Sequence, residues 1–173
     1  SQLYPTVYRN GAVRVLENRS VLPRAWLASS ILVVPESSQL SELVDQDFDP
    51  STTAIVSSPV NLPGDGTGTA TVTEQETDEV QVTVNSSDDA LLVFSGTFAR
   101  GWTATVNGEP TKILLTDGVL RGIPVPSGQS TVLLKYEPTS LTVGIWVSVG
   151  TFLGVIAGAI VALWSRAWGN CSD

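Results

Sequence analysis

The side chains able to do chemistry are few, and their types narrow the choice before their positions do. Among 173 residues there is no histidine, no methionine and a single cysteine, Cys171. A Ser-His or Cys-His nucleophilic pair, a Cys₂His₂ or Cys₄ zinc site and an internal disulfide framework are therefore excluded. Carboxylates remain. Asp45, Asp47 and Asp49 form a D-x-D-x-D run that invites a calcium reading. An EF-hand loop needs Gly at the next position and Glu at the twelfth, where Pro50 and Val56 stand. Nucleotide-sugar transferases also hold a metal with an Asp-x-Asp pair, but a helix end running into an Asx-type turn accounts for these aspartates more simply. Gly64 to Thr69 (GDGTGT) has the look of a phosphate loop, yet no Lys-Ser/Thr follows and no helix opens after it. It reads as a linker. The expectation is a chain with no catalytic residues, no metal site and no cofactor of its own.

Binding residues are a different matter. Trp26, Trp102 and Tyr136 could stack on sugar rings if they lay exposed on a sheet face. Aromatics at alternating strand positions ordinarily belong to a core, and Trp102, just after Gly101, is expected between sheets. Asn18-Arg19-Ser20 and Asn85-Ser86-Ser87 match the N-glycosylation sequon, a short pattern of little weight. Cys171 reads as a plain reduced thiol rather than a palmitoylation site.

Charge is unevenly distributed. Only 15% of residues are charged, and the formal net charge is −8. Residues 1–140 carry all the charged groups except Arg166 and Asp173, so the acidity belongs to that part. From Glu36 to Asp89 there are 12 acids and no base, which reads as a solvated, self-repelling surface rather than a cation site. Such a domain repels phosphodiester backbones, so nucleic acid is not an expected partner.

The elements that must position these residues fall into two kinds. No charge occurs from Pro138 to Ser165, and Leu141 to Trp164 is almost wholly apolar. At about 1.5 Å per residue those 24 residues reach roughly 36 Å, enough to cross a hydrocarbon core of about 30 Å. Trp146 near one end and Trp164 and Trp168 near the other suit an aromatic belt. Gly150, Gly154 and Gly158 recur every four residues and Ala162 extends the series, a helix face stripped for close packing on other membrane helices. Membrane lipid and neighbouring transmembrane helices are thus the expected partners. A short tail bearing Arg166 inside and a large acidic domain outside is the favoured orientation. The expected division is an extracytoplasmic β-rich domain over 1–138 with a short helix near 37–45, a transmembrane helix over 139–165 and a cytoplasmic tail over 166–173. A chain opening on Ser1 with no apolar leader reads as a fragment or processed product.

Before the span, turn pairs punctuate short apolar or alternating runs. Asn10-Gly11, Asn107-Gly108, Asp117-Gly118 and Ser127-Gly128 supply the positive φ of tight hairpin turns. Strands are expected at Val13–Leu16, Ala25–Val34, Ala54–Ser57, Val80–Val84, Ala90–Ser95, Thr103–Val106, Lys112–Leu115, Val119–Ile123 and Thr131–Tyr136. Asn61 to Thr71 reads as a loop. One helix should follow Pro35, capped by Ser37 or Ser38 and burying Leu40, Leu43 and Val44. The fold class is mainly β: an antiparallel β-sandwich or jelly-roll-like domain followed by one C-terminal transmembrane helix.

Several segments together resemble the C-terminal region of the YfhO family, multi-spanning bacterial membrane proteins similar to C-type glycosyltransferases. They are Val15-Leu16-Glu17-Asn18, Leu22-Pro23-Arg24-Ala25 and Asp47-Phe48-Asp49-Pro50, then Gly101-Trp102-Thr103-Ala104-Thr105-Val106-Asn107-Gly108. Arg121 ahead of Val125-Pro126-Ser127-Gly128 and Tyr136-Glu137-Pro138 complete the set. Where the family usually has a Tyr-Tyr-Pro-like run before Gly-Trp, Phe98-Ala99-Arg100 stands here. The resemblance implies a β-rich extracytoplasmic domain closed by a final membrane helix, with catalysis in an early loop of a helix bundle that this sequence lacks. No residue here inherits a catalytic role.

The leading expectation for function is then a non-catalytic module and last membrane helix of a lipid-linked-sugar glycosyltransferase in the cell membrane. It would aid acceptor or glycan positioning in cell-envelope glycosylation, with a glycan or lipid-linked sugar as a further partner. The alternative is a single-span structural or adhesive surface protein. Its mark would be a signal peptide upstream, where the first reading expects many hydrophobic spans.

Overall fold

The computed structural model describes residues 4–45, 47–60 and 66–169, with side chains left out at 162, 163 and 165–169. It divides into two compact units, Ser1–Lys135 and Tyr136–Asp173. Strands dominate the first, as turn-punctuated alternation predicts. They are β1 (Thr6–Asn10), β2 (Val13–Leu16), β3 (Ala25–Ala28), β4 (Ser30–Val33), β5 (Thr53–Val56), β6 (Gly68–Gln75) and β7 (Glu79–Ser86). There follow β8 (Ala90–Phe94), β9 (Trp102–Val106), β10 (Glu109–Thr111), β11 (Leu114–Thr116), β12 (Leu120–Val125) and β13 (Gly128–Tyr136). Helix α1 spans Glu36–Leu43 and α2 spans Thr139–Gly169.

β1 and β2 form an isolated hairpin, and the remaining strands form two sheets. One has the order β10-β9-β13-β7-β6, the other β3-β8-β12-β11-β5-β4. β7 alternates as its sequence demands, sending Val80, Val82 and Val84 to the core. These meet Ala90, Leu92 and Phe94 of β8, Ile123 and Val125 of β12, and Val132 and Leu134 of β13 in a single buried cluster between the sheets. The architecture is a β-sandwich.

The six-stranded layer has a second core on its other face. There Leu91 and Val93 of β8 pack with Trp26 and Ala28 of β3 and with Ala54 and Val56 of β5. The stretch Ala25–Val34, expected as one strand, breaks at Ser29, whose N–H donates to the Thr52 carbonyl oxygen at 3.0 Å. The halves then occupy the two opposite ends of the sheet order. Ala28 and Ser30 are two residues apart, so the sheet ends lie within about 7 Å of chain reach and the layer must curl back on itself. Its inner core sits in that curl. The curl also accounts for a departure from the antiparallel expectation, because β4 pairs with β5 in parallel.

Closing the curl is left to polar groups. β11 meets β5 through one pairing, Thr116 with Val56. Beyond it, Asp117 completes the seam: its N–H donates to the Ile55 carbonyl oxygen at 2.9 Å and its Oδ1 accepts from the Ile55 N–H at 2.8 Å. Asp117 (φ 49°) and Gly118 (φ 72°) hold the turn into β12. Asn107 (φ 52°) and Gly108 (φ 87°) do the same between β9 and β10, both as their residue types predict.

Two expectations are corrected. Helix α1 takes Pro35 as its N-cap with no side-chain cap, and of its expected apolar face Leu43 is half-buried while Leu40 and Val44 are each 74% exposed. The residue it buries is Gln39, whose Nε2 donates to the Val34 carbonyl oxygen while its Oε1 accepts from the Gly118 N–H. Those two bonds, rather than an apolar face, hold α1 on the turn that closes the seam. The stretch Asn61 to Thr71 also contains the start of β6, while residues 61–65 lie outside the described residues. Gly68 is there for close approach, since a Cβ would collide with the Asn85 carbonyl oxygen of β7.

The second unit carries α2. Thr139–Val161 is long and apolar enough to cross a membrane, with a mean hydropathy of 2.0, and none of it is buried by protein. Thr151 Oγ1 donates back to the Val147 carbonyl oxygen, which satisfies its hydroxyl within the helix. Around Gly150, Gly154 and Gly158 an added Cβ would meet nothing within 4 Å. The side chain of Ala162 and all of Cys171 lie outside the described residues.

Candidate functional site

The cluster most suited to recognising a ligand stands at one end of the sandwich, where the segment between β8 and β9 turns over the core. β12 reads Leu-Arg-Gly-Ile-Pro-Val, so strand alternation sets Arg121 on the same face as Ile123 and Val125. That face points between the sheets, and Arg121 is only 5% exposed. Its guanidinium carbon stands 3.8 Å from the Trp102 ring centre and 5.8 Å from that of Phe94. Arg24, just ahead of β3, approaches the same Phe94 ring at 5.3 Å. Cation–π contacts of this kind contribute about 0.5–2 kcal/mol each, more as water is excluded.

Backbone carbonyls fix both arginines. Arg121 Nε donates to the Thr97 carbonyl oxygen at 3.0 Å, and Arg24 Nη1 donates to that of Ser95 at 3.2 Å. Gly96 lets the chain lie flat on the cluster, because a Cβ there would press on the Phe94 ring at 2.7 Å. Among the described residues neither Arg24 nor Arg121 is in an ion pair. Burial, and then the charge of Arg24, push the Arg121 guanidinium below its ordinary proton affinity. The arrangement can receive an anion against aromatic walls.

The three aromatics singled out from sequence do not form one platform. Trp26 is 8% exposed within the inner core, and its indole N–H donates to the Pro50 carbonyl oxygen at 3.0 Å. It offers no free face to a sugar. Trp102 is half-buried and packs against the other core, across the six-stranded sheet from Trp26, with one ring face covered by Arg121. Tyr136 closes β13 and is 41% exposed. The arginines were missed in the sequence, although one signal was present: an arginine at an inward position of an alternating strand.

The aspartate run is accounted for by turns. Asp45 Oδ1 accepts from the Asp47 N–H, and Asp49 Oδ1 accepts from the hydroxyl and the N–H of Ser51. Those Ser51 bonds hold the Asp49 carboxyl below its usual range. Among the described residues no group of three or more His, Cys, Asp or Glu side chains could hold a metal ion. A cleft of about 270 Å³ runs past Glu36, Phe98 and Lys112, slightly under the size of small-molecule sites at roughly 300–1,000 Å³.

Comparison with known proteins adds one positive finding. The family model of the bacterial membrane protein YfhO matches residues 67–148. The match begins just ahead of β6, takes in Trp102, Arg121 and Tyr136, and ends inside α2. The segments at 15–18, 22–25 and 47–50 that also carried the resemblance lie outside it. No curated protein and no solved structure matches the chain. With most of the sandwich and the start of an apolar helix of spanning length inside the matched stretch, residues 67–148 are similar to a region of the YfhO bacterial membrane proteins.

Proposed function

We propose that this chain is a non-catalytic extracytoplasmic module and membrane helix of a multi-spanning, glycosyltransferase-like protein. In this reading the sandwich over 1–138 lies outside the cytoplasm, α2 crosses the membrane over 139–165, and 166–173 form the inner tail. The module positions an acceptor or growing glycan near a lipid-linked sugar, and catalysis belongs to other membrane helices. The carrying observation is the YfhO family match running from the sandwich into an apolar helix of spanning length. Residue chemistry supports it too: the catalytically versatile His is missing, and Asp45 and Asp49 of the aspartate run serve in local turns. Gly150, Gly154, Gly158 and Ala162 would form the face that docks α2 on the neighbouring helices, and Trp102 and Tyr136 are the aromatics left to touch a glycan.

The single cysteine makes orientation testable. An impermeant maleimide applied to intact cells should leave native Cys171 unlabelled and label it after permeabilisation. A Cys171→Ser, Ser127→Cys double variant, which moves the thiol to an exposed turn of the sandwich, should show the reverse. Labelling of Cys171 in intact cells would overturn the assigned sides. A photocrosslinker at Gly154 in native membranes should capture helices of a multi-spanning polypeptide. Capture of nothing but a second single span would favour the structural surface protein instead.

A further inference from the structure

We propose that Arg24 and Arg121, walled by Phe94 and Trp102, form a binding site for a phosphoryl group. The inference starts from a charge imbalance. A buried cation is stable only when paired or fully hydrogen-bonded. Arg121, 5% exposed, has two aromatic rings and one carbonyl oxygen around it, and Arg24, another cation, shares its Phe94 ring.

Counting donors sharpens the ligand. Each guanidinium has five N–H donors in a planar fork. Arg121 uses Nε on Thr97 and Arg24 uses Nη1 on Ser95, and among the described residues neither makes a further protein hydrogen bond. No side-chain nitrogen in a described residue is both buried and unpartnered, so the idle Nη atoms of Arg121 reach the surface. Two forks against one ring offer more donors than a carboxylate's two oxygens accept, and they suit the three oxygens of a phosphoryl group. Trp102 and Phe94 hold the planes of the forks, so little side-chain freedom is lost on binding. The site is independent of the glycosyltransferase reading and stands or falls separately from it.

The test uses the full chain in detergent micelles, titrated with inorganic phosphate against chloride at matched ionic strength. Arginine Nε–H resonances report occupancy directly, and the Arg24→Gln and Arg121→Lys variants assign them. A saturable shift of the Arg121 resonance is expected. Arg24→Gln should weaken binding roughly tenfold or more, the scale of a lost charge-assisted hydrogen bond. Arg121→Lys keeps the charge and loses the fork, and should weaken it comparably. Should that buried change unfold the sandwich, the exposed Arg24 variant decides alone. Glycerol phosphate and a short-chain phosphatidylglycerol serve as further probes, and the tighter one identifies a soluble ester or a lipid headgroup as the source. An absent shift, equal affinity for acetate, or unchanged affinity in Arg24→Gln would overturn the proposal and leave the pair as a clamp on the 95–101 segment.

Discussion

Two stretches of this chain are nearly free of polar side chains, and they meet opposite surroundings. β8 (Ala90–Phe94) buries all five residues, odd and even positions feeding the two cores on either face of its sheet. The apolar window of α2 buries none. Composition alone does not separate them. Length does: five strand residues reach about 17 Å, the thickness of one small domain layer, whereas the 23 residues of Thr139–Val161 reach about 35 Å as a helix. A strand short enough to be covered on both faces becomes the centre of a sandwich. A helix too long and too uniformly apolar for any water-facing side finds its solvent in lipid.

The sharpest way to break that contrast is to delete the same atoms in both places. Leu92→Ala leaves a void between two close-packed sheets and should cost about 2–5 kcal/mol of sandwich stability. Ile156→Ala removes a comparable side chain from α2 and should leave sandwich unfolding unchanged within error. Denaturant unfolding of the full chain in micelles, followed by tryptophan fluorescence, gives both numbers. Equal losses would mean that α2 and the sandwich unfold as one unit.

The seam at Asp117 tests the polar side of the same layer, with a smaller effect. Asp117→Ala orphans the buried Ile55 N–H and should cost about 1–3 kcal/mol, beyond any strain from the positive φ. Asp117→Asn keeps an acceptor oxygen and tolerates that φ. Burial raises the Asp117 carboxyl above its ordinary 3.8, with the Ile55 hydrogen bond opposing in part. The folded state therefore holds the proton more tightly than the unfolded one. Between 3.8 and the raised value, this group's contribution to stability falls as pH rises, and it is restored as pH drops. The stability difference between wild type and Asp117→Asn should shift toward the variant on going from acid to neutral pH. A flat difference would remove burial as the cause.

What the sequence disclosed and what it hid divide along the same physical line. Turn pairs and period-two alternation are local, so most strands and the positive-φ turns could be read from residue types. The apolar span could be read from length. Pairing partners more than 60 residues apart could not. Nothing in Ala25–Val34 announces a break at Ser29, because the reason for it is the curl that brings β4 beside β5. Gln39 is an ordinary polar residue until Gly118 arrives to bond it. The candidate site was hidden for the same reason: Arg24, Phe94, Trp102 and Arg121 come from four places in the chain. Trp102 could be read as a possible sugar contact, and Arg24 and Arg121 only as parts of separate family segments.

The smallest effect belongs to the membrane helix, where burial in lipid leaves apolar contacts little to add. Leu against Leu gains almost nothing over Leu against acyl chains, so close backbone approach must supply any preference between helices, on the order of 1 kcal/mol. Gly150, Gly154 and Gly158 lie four residues apart with open space around each Cβ position, and Ile156 points about 160° away from Gly154. Gly154→Leu adds apolar surface and strengthens insertion, yet should weaken association of α2 with neighbouring helices. Ile156→Leu changes neither volume nor apolarity and should be silent. Crosslinking yield or energy transfer between labelled helices in bicelles separates the two. If Gly154→Leu matched Ile156→Leu, the stripe would reflect the ordinary abundance of glycine in membrane helices, and α2 would be held by its hydrophobic length alone.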